Sequence, residues 1–183
     1  MISACSPHQT ASKTAQSWVL NPAHSSISII STKNSKVSEV SNFTQFSGSI
    51  DGNLNLNISI DLNSLETNIP IRNERMQKHL FQSGMYPTAD IRTQLTASDL
   101  IPGVHKITFD VDLHGVSSIL EAEFMVFEQY GNKVITLHKP LIVDAATFGL
   151  ESGISTLKNL AKLQSIDFTV PINLILSFQP LQN

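Results

Sequence analysis

Charge is scarce in this chain. Asp, Glu, Lys and Arg make up 15% of its 183 residues, against about 25% in ordinary soluble domains. Ser, Thr and Asn take up the polar surface instead, and as mediocre helix formers they favour strands. There is no basic surplus: 12 Lys and Arg stand against 15 Asp and Glu, a net charge of −3, so the footprint of a nucleic-acid binder is missing. The single cysteine, Cys5, excludes an internal disulfide. The six histidines (His8, His24, His79, His105, His114 and His138) show no His-x-His pair and no helical i, i+4 pair, so the three or four convergent ligands of a zinc site are not expected. No apolar run approaches the roughly 20 residues of a membrane-spanning helix. A Gly-x-Ser-x-Gly elbow and a phosphate-cradling glycine loop are absent too. No catalytic residues and no cofactor are assigned, and the chain reads as a binder rather than an enzyme.

What is present is alternation. The length fits one domain on a prior of about 100–200 residues each. Residues 54–62 place Leu54, Leu56, Ile58, Ile60 and Leu62 opposite Asn55, Asn57, Ser59 and Asp61, the period of a strand with one wet face. Residues 26–31, 105–113, 119–127 and 165–178 repeat the pattern, the last with Ile166, Phe168, Val170, Ile172, Leu174, Leu176 and Phe178 on one side; 88–96 reads as a mixed strand and 133–138 as a further one. Asp51-Gly52, His114-Gly115 and Gly131-Asn132 are hairpin signals. Pro171, on the polar side, marks an edge or a bulge. The period changes twice. Residues 69–81 predict a short helix capped by Thr67 or Asn68, with Pro70 in its first turn and Ser83-Gly84 at its end. Residues 154–164 predict a second, after a break at Gly149 and Gly153. The fold class is therefore all-β: about eight or more antiparallel strands with two helical inserts, a sandwich or barrel by their spacing, with the regular in/out alternation favouring a barrel whose inner face is apolar. Residues 1–17 read as a flexible tail and 18–183 as the barrel domain.

Several short pieces occur in a telling order: Trp18-x-Leu20-x-Pro22-x-His24-Ser25, Phe43-x-x-Phe46-x-Gly48, Glu66-Thr67-Asn68-x-x-x-Arg72-Asn73-x-Arg75, His79-Leu80-Phe81, Tyr86-Pro87-Thr88-Ala89, Leu113-His114-Gly115-Val116 and Phe148-Gly149-Leu150. Together they resemble the YceI-like family of small bacterial proteins over residues 18–178. The resemblance implies an extended antiparallel eight-stranded, lipocalin-like barrel with one or two short helices capping an end, in agreement with the strand count, together with export to the periplasm and an apolar channel holding a long polyisoprenoid or fatty chain. The chain departs from the family at Val40-Ser41-Asn42-Phe43, where a glycine usually precedes the phenylalanine. It departs again at Asp144-Ala145-Ala146-Thr147, where Arg-Ser-Asp is usual. Both departures touch the head-group end.

The expected ligand is thus an apolar long-chain lipid of polyisoprenoid, quinone-like or fatty-acid type, held for transport, storage or sequestration in the bacterial envelope. Burial is worth about 0.8 kcal/mol per methylene. The inward side chains expected to line the lumen are Leu56, Ile58, Ile60, Phe109, Val111, Phe124, Val126, Phe168, Val170 and Ile172. Arg72 and Arg75, three apart on the first helix, are candidates for an anionic head group, with Glu74 as their local counter-charge. The 72–81 segment is expected to gate access. Ile2-Ser3-Ala4-Cys5 resembles the end of a lipoprotein signal, so Cys5 is a candidate for lipidation, tethering the barrel beside a membrane through the polar segment 6–17; a homodimer is left open. The alternative is an envelope stress-response or interaction module with a fully packed barrel and no ligand. An enzyme acting on an isoprenoid or quinone-like substrate is the remaining option.

Overall fold

The computed structural model describes residues 16–181; Cys5 and the segment around it lie outside the described residues. Twelve short strands make eight staves, because several staves are interrupted. β1 (Trp18–Leu20) and β2 (Ser26–Lys33) form the first, β3 (Val37–Phe43) and β4 (Phe46–Ile50) the second, β5 (Asn55–Asp61) and β6 (Leu65–Glu66) the third. β7 (Thr88–Gln94), β8 (Gly103–Leu113) and β9 (Val116–Gln129) follow, then β10 (Asn132–Leu137) with β11 (Leu141–Asp144), and finally β12 (Thr169–Pro180). Each stave pairs antiparallel with its chain neighbour. β12 closes the ring by pairing with β10 and β11 on one edge and with β1 and β2 on the other (Leu20↔Phe178, Ile29↔Ile172). The result is a closed eight-stranded up-and-down barrel, which leaves no sheet edge exposed. No helix among the described residues is long and apolar enough to cross a membrane.

Alternation places the strands as the sequence predicts. Ile58 and Ile60 of β5 are buried and Asn57 faces outward. Leu54 is the exception: its φ of +66° belongs to the turn, held by Asp51 accepting from the backbone of Asn53 and Asn55. Pro171 lies where the β12–β2 ladder stops at Ile172. Beyond it the pairing resumes as a lone bridge, Lys33↔Ile166, in a shifted register, as a residue without an N–H requires.

The helical cap departs from expectation in three ways. α1 (Pro70–Arg75) starts from Ile69, which supplies no side-chain cap. Thr67 instead gives its N–H and hydroxyl to Asn73 Oδ1 at 3.0 and 2.6 Å, and Asn73 Nδ2 donates to Glu66 Oε1 at 2.9 Å. At Met76 the helix then widens into a π-helical turn, Met76–Phe81, ended by Gln82 in the left-handed region rather than by Ser83-Gly84. Hydrogen bonding from i to i+5 puts residues four and five apart on one face, and Met76, Leu80 and Phe81 are all buried. Third, α2 spans Glu151–Leu160, so it begins before the predicted 154 and contains Gly153. That glycine is a close approach, not a break: a Cβ there would stand 2.6 Å from the His79 carbonyl oxygen and 2.8 Å from Leu80 Cα. Gly153→Ala is expected to push α2 off the π turn and lower stability by about 1–3 kcal/mol, read in a thermal melt; an unchanged melting temperature would contradict the close packing.

Three of the motif pieces meet at this end of the barrel. The β8–β9 hairpin turns at His114 and Gly115 (φ +54° and +75°). The Tyr86 ring lies 4.8 Å from the His114 ring, and a Cβ on Gly115 would meet Tyr86 Cε1 at 2.7 Å. His114 Nδ1 is 3.3 Å from the Phe148 carbonyl oxygen. The turn therefore fixes the loop leading into α2.

Candidate functional site: a two-chambered lumen

Inward alternation on eight staves creates an apolar interior, and the interior is not full. An outer chamber of about 450 Å³ lies under the helical cap, and an inner chamber of about 150 Å³ lies deeper in the barrel. Ile60, Ala89, Leu113, Val143 and Phe148 belong to both walls, so the chambers adjoin. The outer one alone falls in the usual 300–1,000 Å³ range of ligand pockets. From Val170 in the outer wall to Phe178 in the inner one, the lumen runs roughly 20 Å, allowing ~3.3 Å per residue and a strand tilt of ~40°. The packed barrel expected of a module without ligand is not what this chain forms.

Of the predicted lining residues, Leu56, Ile58, Phe109, Val111, Phe124 and Ile172 line the inner chamber, Val170 the outer, and Ile60 both. Phe109 and Phe124 meet edge to face at 5.9 Å. Val126 is fully buried but packs in the core outside both chambers. Phe168 is 40% exposed and faces away. The alternation running back to residue 165 outlasts the strand, which begins only at Thr169, and in the irregular stretch before it Ile166 lines the chamber as the alternation places it, while Asp167 turns inward in place of Phe168. The cap supplies wall that the strand pattern does not show: Met76, Leu80 and Phe81 from the π turn, and Ile154 and Leu157 from α2. Their helical spacing of three and four was the available signal.

Arg72 and Arg75 both line the outer chamber, together with Lys33, Asp167, Ser31 and Ser41. The counter-charge of Arg72 is Glu39, not Glu74. Register places Glu39 opposite Ser31 on the inner face of β3. Arg72 reaches it with Nη1 at 3.0 Å and Nη2 at 3.4 Å, and Lys33 pairs with the same carboxylate. The Lys33 hydrogen bond, opposed by partial burial and aided by the Lys33 and Arg72 charges, holds the Glu39 carboxyl below its ordinary value of 4.5. A depressed carboxyl stabilises the fold above the unfolded-state pKa, and that contribution fades as pH falls through the lower folded value. Arg75 makes no ion pair among the described residues. Glu39→Gln, by freeing Arg72 and Lys33, is expected to tighten binding of a fatty acid by about tenfold and leave a neutral prenol unchanged; equal effects on both would show that these cations do not meet a head group. Among the described residues no three His, Cys, Asp or Glu side chains converge as a metal site would need.

A family model described as a YceI-like domain matches residues 18–178. Among solved structures, the chain is similar to a polyisoprenoid binding domain from Saccharophagus degradans implicated in plant cell wall breakdown, at 29% identity and a TM-score of 0.85 over 90% of this chain and 98% of that one. Burkholderia cenocepacia BcnA shares the fold at 14% identity and a TM-score of 0.68, over 86% and 98% of the two chains. The Campylobacter jejuni YceI protein does so at 16% and 0.59, over 78% and 85%. No curated protein matches the chain significantly.

Proposed function

The chain belongs to the YceI-like family, and from that premise we propose that it is a non-catalytic carrier of one long apolar lipid of polyisoprenoid, quinone-like or fatty-acid type, acting in the bacterial envelope on the periplasmic side. The observation that carries this reading is the open two-chambered lumen with a wall of apolar side chains, whose cationic groups, Lys33, Arg72 and Arg75, all lie in the outer chamber, while Asp99 is the one charged residue lining the inner chamber. A chain lying with its tail in the inner chamber and its head beside Arg75 places each methylene against Ile, Leu, Val and Phe, worth about 0.8 kcal/mol apiece. A dozen buried methylenes offset the cost of association without polar contacts. The S. degradans domain, named for polyisoprenoid binding, supports the ligand class. The cap formed by α1 and the π turn roofs the outer chamber and borders its opening, so access for the chain is controlled there.

Calorimetric titration with a long prenol at two temperatures tests this. Saturable one-to-one binding with a negative heat-capacity change, and prenol recovered chemically unchanged by extraction, are the expected results. No saturable binding would overturn the carrier reading, and a converted prenol would move the chain to the enzymes.

A further inference from the structure

The outer chamber opens where its lining residues are also exposed: Ile69, Ile71 and Ala161. Three segments border that opening, residues 33–39 at the β2–β3 turn, 69–75 at α1, and 157–168 from the end of α2 towards β12. They are tied to each other. Asn34 Oδ1 accepts from the backbone of Gln164 and Ser165 at 2.8 and 3.2 Å, Asn34 N donates to the Ser165 carbonyl at 3.0 Å, and Arg72 holds Glu39. Every segment presents an exposed apolar side chain: Val37, Ile69 with Ile71, and Leu160 with Phe168. Every segment also carries two cations: Lys33 and Lys36, Arg72 and Arg75, Lys158 and Lys162. The rim thus holds six of the chain's twelve Lys and Arg but only three of its fifteen Asp and Glu (Glu39, Glu74 and Asp167), so it is positive on a chain whose net charge is −3.

We propose that this rim is a docking surface for an anionic lipid bilayer. The exposed apolar side chains insert at the headgroup level while Lys36, Lys158 and Lys162, the rim cations that do not line the chamber, meet lipid phosphates. Apolar tips among cations are how a peripheral protein holds an interface, and each cation near an anionic surface adds attraction that salt screens. An acidic protein partner would satisfy the cations but not the apolar ring around the opening of a lipid-sized cavity; a bilayer satisfies both, and it brings the leaflet to the chamber. Docking extends the lipid-carrier reading, and its test is separate from that of cargo binding.

The experiment is vesicle flotation with the full chain carrying Cys5→Ser, so that no acyl anchor contributes. Vesicles of phosphatidylcholine alone are compared with equal parts phosphatidylcholine and phosphatidylglycerol. The protein is expected to float with the mixed vesicles, to be released by high salt, and to stay behind with phosphatidylcholine. Lys36→Glu with Lys162→Glu, and separately Val37→Ser, whose side chain is exposed on the rim and lines neither chamber, should each weaken flotation by about tenfold. Lys106→Glu, on β8 away from the rim, should not. Prenol titration of each variant verifies that the barrel still folds and loads. Flotation that ignores lipid charge, that survives the rim substitutions, or that never occurs while prenol still binds would overturn the docking surface and leave the carrier reading standing.

Discussion

Ala89→Phe is expected to weaken binding of a long prenol by about a hundredfold while leaving the barrel folded. Ala89 sits on β7 opposite Ile60, is buried, and lines both chambers. A phenyl ring there grows into existing space at the junction, so it adds apolar burial rather than the strain that overpacking a full core would bring. It also denies the ligand the inner chamber. Losing about four methylenes of burial at ~0.8 kcal/mol each removes roughly 3 kcal/mol, or about a hundredfold in affinity. A short prenol that fits the outer chamber alone should bind as before. Competition against a fluorescent fatty acid, with both prenol lengths, checks this; undiminished binding of the long prenol would place the site outside the inner chamber.

Phe178→Ala is expected to be the costliest single truncation in the barrel. Phe178 is 0% exposed and stands on the closing strand, paired with Leu20 of β1 on one side and Lys133 of β10 on the other. Lys133 in turn lies 5.7 Å over the Trp18 ring, so the same side chain joins both flanks of the seam. Truncating a fully buried Phe costs about 3–5 kcal/mol, which for a domain of this size lowers the melting temperature on the order of 10 °C. Phe124→Ala, at a ring that lines the same inner chamber but is only partly buried, should cost clearly less. Equal melting temperatures for the two variants would show that closure does not depend on this seam.

Strand positions were legible in the sequence because period-2 alternation is local. β5, β8, β9 and β12 follow from their own residues, and the Asp51-Gly52 and His114-Gly115 turns from dipeptide chemistry. The places that escaped depend on partners distant in sequence. Glu39 reads as an ordinary surface acid until the β2–β3 register turns it inward beside Lys33 and α1 brings Arg72 to it. Gly153 reads as a helix breaker until the π turn packs against it. The switch from α to π hydrogen bonding at Met76 has no signal of its own, since a helical spacing of four serves both. Phe168 misleads because alternation continues in the sequence past the point where pairing stops, near Pro171 and the shifted Lys33↔Ile166 bridge. Conversely, Tyr86, the His114-Gly115 pair and Phe148 belong to three separate motif pieces, and only the fold shows that they form one contact beside the cap.

The central claim is that the lumen holds one long apolar chain, and native mass spectrometry of gently purified protein, followed by solvent extraction, tests it most directly. The account predicts a mass above that of the polypeptide that extracts as a single apolar compound, and predicts that Ala89→Phe purifies without it. A bare polypeptide mass that persists after incubation with prenols and fatty acids would contradict the claim.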